Sequence, residues 1–124
     1  MAKKNPKKVL VVDDDPLVLR ILKDKLSEVG YLVTTTSSAF GATQLVDEHR
    51  PEVVIIDVVL PALPGPRIAA LVRERMKKVK VLLYSSKDEA ELKQIAKDCN
   101  ADAWLKKTDN YDLLVSEVKK LAKA

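Results

Sequence analysis

The stretch Val9-Leu10-Val11-Val12-Asp13-Asp14-Asp15-Pro16 sets four consecutive aliphatic residues directly against three carboxylates and a proline. An apolar run of this length without polar alternation fits a strand buried on both faces, as in a parallel sheet covered by helices. The proline suits the first turn of a following helix, and Asp15 suits the cap before it. Strand, acidic turn, helix is the local reading.

The same alternation runs outward to the end of the chain. Further strand-length runs stand at Tyr31–Thr36, which is Thr-rich, and at Val53–Ile56, Val81–Tyr84 and Ala103–Leu105. Amphipathic segments separate them. Pro16–Val29 puts Val18, Leu22, Leu26 and Val29 on one helical stripe, and Gly30 suits its end. A second helix spans about Phe40 to His49 and stops before Pro51, where the lone histidine reads as a helix C-terminal residue. Others run from Pro66 to about Lys77, from Asp88 to Asp98 and from Tyr111 to Ala122. Five strand–helix units joined by crossovers predict an α/β fold. The expected architecture is a five-stranded parallel, doubly wound, flavodoxin-like sheet of order 2-1-3-4-5, with five helices on both faces.

Length and charge narrow the rest. At 124 residues the chain suits one domain. One cysteine, Cys99, and one histidine exclude a disulfide framework and a Cys/His zinc cluster. The net charge of +4 is accounted for by Lys3, Lys4, Lys7 and Lys8, so the remainder is formally neutral. Residues 1–8 therefore read as a basic N-terminal tail, and no basic stripe on the folded body argues for nucleic acid. The apolar run after Lys8 is too short for a signal peptide, and no apolar stretch is long enough to span a membrane. A cytoplasmic location is the expectation.

Ligands of such sheets bind beyond the carboxyl ends of the strands. The residues there are Asp13, Asp14 and Asp15 after strand one, Asp57 after strand three, Ser85 and Ser86 after strand four, and Lys106 and Lys107 after strand five. Carboxylates crowded in one crevice stay ionised only with a cation among them, and an all-oxygen donor set suits Mg²⁺. A lysine and a hydroxyl at the same edge suit phosphoryl oxygens, and a carboxylate can serve as nucleophile to form an aspartyl phosphate.

The sequence resembles the receiver domain of two-component response regulators over residues about 8–123, so residues 9–124 are read as one receiver domain. The resemblance rests on Val9–Pro16, on Arg50–Gly65 (R-P-E-V-V-I-I-D-V-V-L-P-A-L-P-G), on Val81–Ser86 (V-L-L-Y-S-S) and on Asn100–Lys107 (N-A-D-A-W-L-K-K). It implies Asp57 as phosphoacceptor, and Asp14 with Asp13 as the acidic pair that holds Mg²⁺. The backbone carbonyl of Val59 would complete the protein's metal ligands. Ser85 would be the hydroxyl that moves onto the phosphoryl group, and Lys107 the lysine that pairs with it. Trp104 takes the place of the switch aromatic. The lysine's spacing from that aromatic selects Lys107 over Lys106. Period-two geometry agrees, since Lys106 shares a face with Trp104 and Lys107 with Leu105.

The implied function is a phosphorylation-dependent switch. A histidine kinase or phosphotransfer protein donates the phosphoryl group, and a downstream protein reads the face made by helix four, strand five and helix five. It is not a turnover enzyme, although it would catalyse its own phosphotransfer and a slow autodephosphorylation, the latter slowed by Val59 and Lys87. The alternative is a phosphate-independent interaction module on the same fold. A phosphohydrolase would need a general acid just after the nucleophile, where Val58 and Val59 stand. The chain reads either as a stand-alone receiver or as a piece of a longer regulator.

Four residues depart from the family pattern. Thr108 replaces a proline that follows a cis bond, so a trans Lys107–Thr108 bond, or a strained cis one, is expected. Asn100 and Ala103 replace glycines, and asparagine tolerates the left-handed conformation that a helix end requires. Trp104 is bulkier than the usual tyrosine and lacks its hydroxyl.

Overall fold

The computed structural model describes residues 6–123. The chain alternates β1 (Lys8–Val12), α1 (Pro16–Glu28), β2 (Leu32–Thr36), α2 (Ala39–His49) and β3 (Val53–Ile56). It continues with α3 (Gly65–Arg75), β4 (Lys80–Ser85), α4 (Glu89–Asp98), β5 (Ala103–Lys106) and α5 (Tyr111–Lys123). All strand pairs are parallel, and the order is β2-β1-β3-β4-β5. This is the predicted flavodoxin-like sheet, with element ends within two residues of the sequence reading.

The two faces of the sheet bury alternate residues. Leu10, Val12, Val54, Ile56, Val81 and Leu83 pack against α2, α3 and α4. Val9, Val11, Val53, Ile55, Leu82 and Tyr84 pack against α1 and α5. Every residue of β3 is buried, which explains why that run shows no polar alternation. The edge strands β2 and β5 are only partly covered, in keeping with their weaker apolar character.

Local signals act as the residue types require. The Asp15 carboxylate caps α1 by accepting the Leu17 N–H at 2.9 Å, with Pro16 in the first turn. Gly30, at φ +100°, carries the turn after that helix. Asn100 adopts φ +58° after α4, the left-handed conformation that asparagine tolerates. Arg50 does the same at φ +53°, although Pro51 follows it.

Two expectations need correction. Lys8 opens β1, and the Lys7 carbonyl accepts the Leu32 N–H at 2.9 Å. The Lys7 ammonium also donates to the Ala122 carbonyl at 2.6 Å. Lys7 and Lys8 therefore belong to the fold rather than to a basic tail, because their backbone groups pair with the sheet while their side chains stay at the surface. Met1–Asn5, the rest of that segment, lie outside the described residues. Val29, expected on the buried stripe of α1, is exposed because the helix ends at Glu28.

Candidate phosphoryl-acceptor site

Parallel strands deliver their carboxyl ends to one edge, and β1, β3 and β4 are neighbours there. Asp13 follows β1 directly and keeps its N–H on the Thr36 carbonyl of β2 at 3.2 Å. Asp57 follows β3 and donates its N–H to the Val12 carbonyl at 3.0 Å. These bonds extend the sheet by one residue on each strand and set both aspartates side by side. Asp13 and Asp57 are buried while Asp14 is exposed, and one carboxylate oxygen from each lies within 4.8 Å of the others. Asp13 Oδ1 accepts the Asp15 N–H at 2.9 Å, and Asp57 Oδ1 accepts the Val59 N–H at 3.2 Å. Each buried carboxylate thus keeps its second oxygen for the crevice.

Lys107 fills that crevice from the position just after β5. Its ammonium lies 2.7 Å from Asp13 Oδ2 and 3.1 Å from Asp57 Oδ2. The Lys107 N–H donates to the Ser85 carbonyl at 2.8 Å, which fixes the root of the side chain. The Lys107–Thr108 bond is trans, since no cis peptide occurs among the described residues. The long side chain reaches both carboxylates from that backbone.

The electrostatics are those of a crowded acidic edge. Burial pushes the Asp13 carboxyl above the usual carboxylate range, and the Lys107 ammonium offsets only part of this. Burial also disfavours the Lys107 ammonium, but Asp13 and Asp57 outweigh it and hold its pKa above the ordinary lysine value. Tyr84, a residue that sequence reasoning passed over, places its ring centroid 5.8 Å from the Lys107 ammonium. Burial pushes its phenol up to about 12, so it stays neutral beneath the lysine.

The remaining candidates occupy the rim. Ser85 is buried at the end of β4, but its Oγ accepts the Lys87 N–H at 3.4 Å, within its own loop. Val59, two residues beyond Asp57, is exposed. Trp104 is half-buried on the α4 side of the sheet, opposite in facing to Leu105. Lys106 and Lys107 diverge as period two requires, and Lys107 is the one that meets the acids.

Two supporting residues carry little sequence signal. Gly65 opens α3 against the turn after β3, where a Cβ would collide with the Asp57 carbonyl and the Val58 Cα. Asp102 Oδ2 accepts the Val81 N–H at 2.7 Å and pairs with Arg73 at 3.0 Å, bracing β4 and β5 at their start. A glycine before Pro66 hints at close approach, but nothing in the text marks Asp102.

Comparison with known proteins agrees with this geometry. The response regulator receiver domain family model matches residues 9–119. The transcriptional regulatory protein KdpE of Mycobacterium tuberculosis is 33% identical over 111 residues, covering 90% of this chain and 49% of that protein. The alkaline phosphatase synthesis transcriptional regulatory protein PhoP of Bacillus subtilis is 31% identical over 101 residues, covering 82% and 42%. The chain thus spans about half the length of the curated relatives it matches. Among solved structures, Thermotoga maritima response regulator TrrA in complex with Mg²⁺–BeF superposes with a TM-score of 0.82 at 30% identity, covering 93% of this chain and 98% of that one. The Vibrio cholerae chemotaxis protein CheY4 gives 0.88 at 28% identity, covering 94% and 99%. With the sheet order, the acidic edge and these relatives in agreement, the chain belongs to the receiver domain family of two-component response regulators.

Proposed function

We propose that the chain is a phosphorylation-dependent signalling switch whose phosphoacceptor is Asp57. The observation that supports this most strongly is the Lys107 ammonium shared between Asp13 and Asp57, with Asp14 beside them. In the proposed step, an Asp57 carboxylate oxygen attacks phosphorus, and the donor's leaving group departs with the bonding pair. Lys107 then pairs with the new phosphoryl oxygens. Asp13, Asp14 and Asp57, with the Val59 carbonyl, would hold Mg²⁺. The fit is chemical, since the donors are hard oxygens and the burial strain on Asp13 calls for a cation. When bound, Mg²⁺ neutralises charge on the phosphoryl group.

The Ser85 hydroxyl and Trp104 are the proposed readout. Ser85 moving onto the phosphoryl group favours a second arrangement of the β4–α4 loop, transmitted to the α4–β5–α5 face, where a downstream protein docks. The donor is a histidine kinase or phosphotransfer protein, in the cytoplasm. Catalysis is confined to the chain's own phosphotransfer and slow autodephosphorylation.

The test is labelling by a small-molecule phosphoryl donor with Mg²⁺, comparing wild type with Asp57→Asn. Wild type should label, and the variant should not. Labelling that persists in the variant sinks the assignment, and no labelling of either favours a phosphate-independent module.

A further inference from the structure

Lys106 ends β5 and Lys107 follows it, yet only Lys107 turns to the acids. Lys106 lies in register with Ser85, at the last pair of the β4–β5 ladder. Its side chain folds over the Ser86–Lys87 segment that links β4 to α4. The ammonium donates to the Ser86 carbonyl at 3.0 Å and to the Lys87 carbonyl at 3.1 Å. Among the described residues no backbone N–H donates to either carbonyl. The segment is short, because Asp88 already caps α4. Ser85 to Lys87 are therefore tied to the end of β5 and the residue after it at three consecutive carbonyls, one through the Lys107 N–H and two through the Lys106 ammonium. In this arrangement the Ser85 hydroxyl serves the Lys87 N–H and not the acidic crevice.

We propose that Lys106 is a positioning residue for the switch. Its ammonium latches the Ser86 and Lys87 carbonyls and holds the Ser85 hydroxyl away from Asp57. The proposal rests on the phosphoacceptor reading above and specifies how its resting state is favoured. Moving Ser85 onto a phosphoryl group shifts the carbonyls that follow it, so both Lys106 bonds must break or re-form. A contact made in one arrangement and lost in the other biases the equilibrium by its own strength. Charge-assisted bonds to half-exposed carbonyls shift such an equilibrium by roughly three- to tenfold.

The sign of the effect makes the test sharp. Lys106→Met keeps the aliphatic stem and removes the donor, and Lys106→Arg keeps a donor. Mg²⁺ with beryllofluoride, a phosphoryl mimic, is titrated against Trp104 fluorescence, with Asp57→Asn as the blank. Lys106→Met should bind roughly three- to tenfold tighter than wild type, with Lys106→Arg close to wild type. Simple loss of a positive charge near an anion site would weaken binding instead. Equal or weaker binding by Lys106→Met therefore overturns the latch. A wild type without any Asp57-dependent response would overturn the phosphoacceptor reading. The latch is then judged by hydrogen exchange of the resting protein, where the Lys87 amide should exchange roughly three- to tenfold faster in Lys106→Met. Unchanged exchange there overturns it as well.

Discussion

Removing the Lys107 ammonium should destabilise the metal-free protein far more than the Mg²⁺-loaded one. The ammonium lies 2.7 Å from Asp13 Oδ2 and 3.1 Å from Asp57 Oδ2. At an effective dielectric near 20, each contact is worth about 5–6 kcal/mol of attraction. Dehydration of the three groups cancels much of this, and breaking a buried pair costs about 3–5 kcal/mol. The Lys107 side chain keeps 20% of its surface exposed, so water can soften the loss. Lys107→Met should therefore lose about 2–3 kcal/mol, which for a domain of this size lowers Tm by about 10 °C. Mg²⁺ bound only by the folded state returns about 2.7 kcal/mol at a hundredfold excess over Kd. With no ammonium competing for Asp13 and Asp57, the variant should gain more from Mg²⁺ than wild type does. The assay is thermal unfolding of both proteins in EDTA and in saturating Mg²⁺. The gap should be widest in EDTA and narrow with Mg²⁺. An equal gap under both conditions, or a variant as stable as wild type in EDTA, refutes the charge-balance argument.

Asp13→Asn tests the other side of that balance. The raised Asp13 pKa means that the folded state holds this proton more tightly than the unfolded chain does. Its contribution is therefore unfavourable above the folded pKa, and stability falls as pH rises from the unfolded value through the raised one. In metal-free urea titrations, Asp13→Asn should remove that drop and be more stable than wild type at pH 7. Gly65→Ala should cost about 1–3 kcal/mol in urea unfolding, because the added methyl meets Asp57 and Val58 backbone rather than a side chain that can move. Its phosphoryl labelling should fall as well, as the turn carrying Asp57 is displaced. Asp102→Ala should cost about 1–3 kcal/mol, since it leaves the Val81 N–H and Arg73 without their shared acceptor. A neutral result in the same unfolding assay would show that water replaces the carboxylate.

The alternation of buried strands and amphipathic helices was legible from the text alone. Runs such as Val53–Ile56 have no polar residue to expose, so only a sheet covered on both faces accommodates them. That requirement also placed Asp13, Asp14, Asp57 and Ser85 at one edge, because parallel strands deliver their carboxyl ends together. Period two separated Lys106 from Lys107 by face, and the resemblance singled out Lys107. What remained illegible depends on through-space distance. Lys7 and Lys8 read as tail because lysine-rich termini are usually solvated, yet the hydrogen-bond partners of their backbone are Leu32 in β2 and Glu52 just before β3. The brace at Asp102 and the ring of Tyr84 under Lys107 join residues that no local pattern connects. Lys106 is the clearest case. Its face follows from spacing, but where a flexible four-carbon stem sets its ammonium follows only from the loop it meets. The sequence by itself determined which chemical groups gather at the sheet edge. The tertiary structure alone decided which of them touch, because side-chain reach and burial are set by packing across elements distant in the chain.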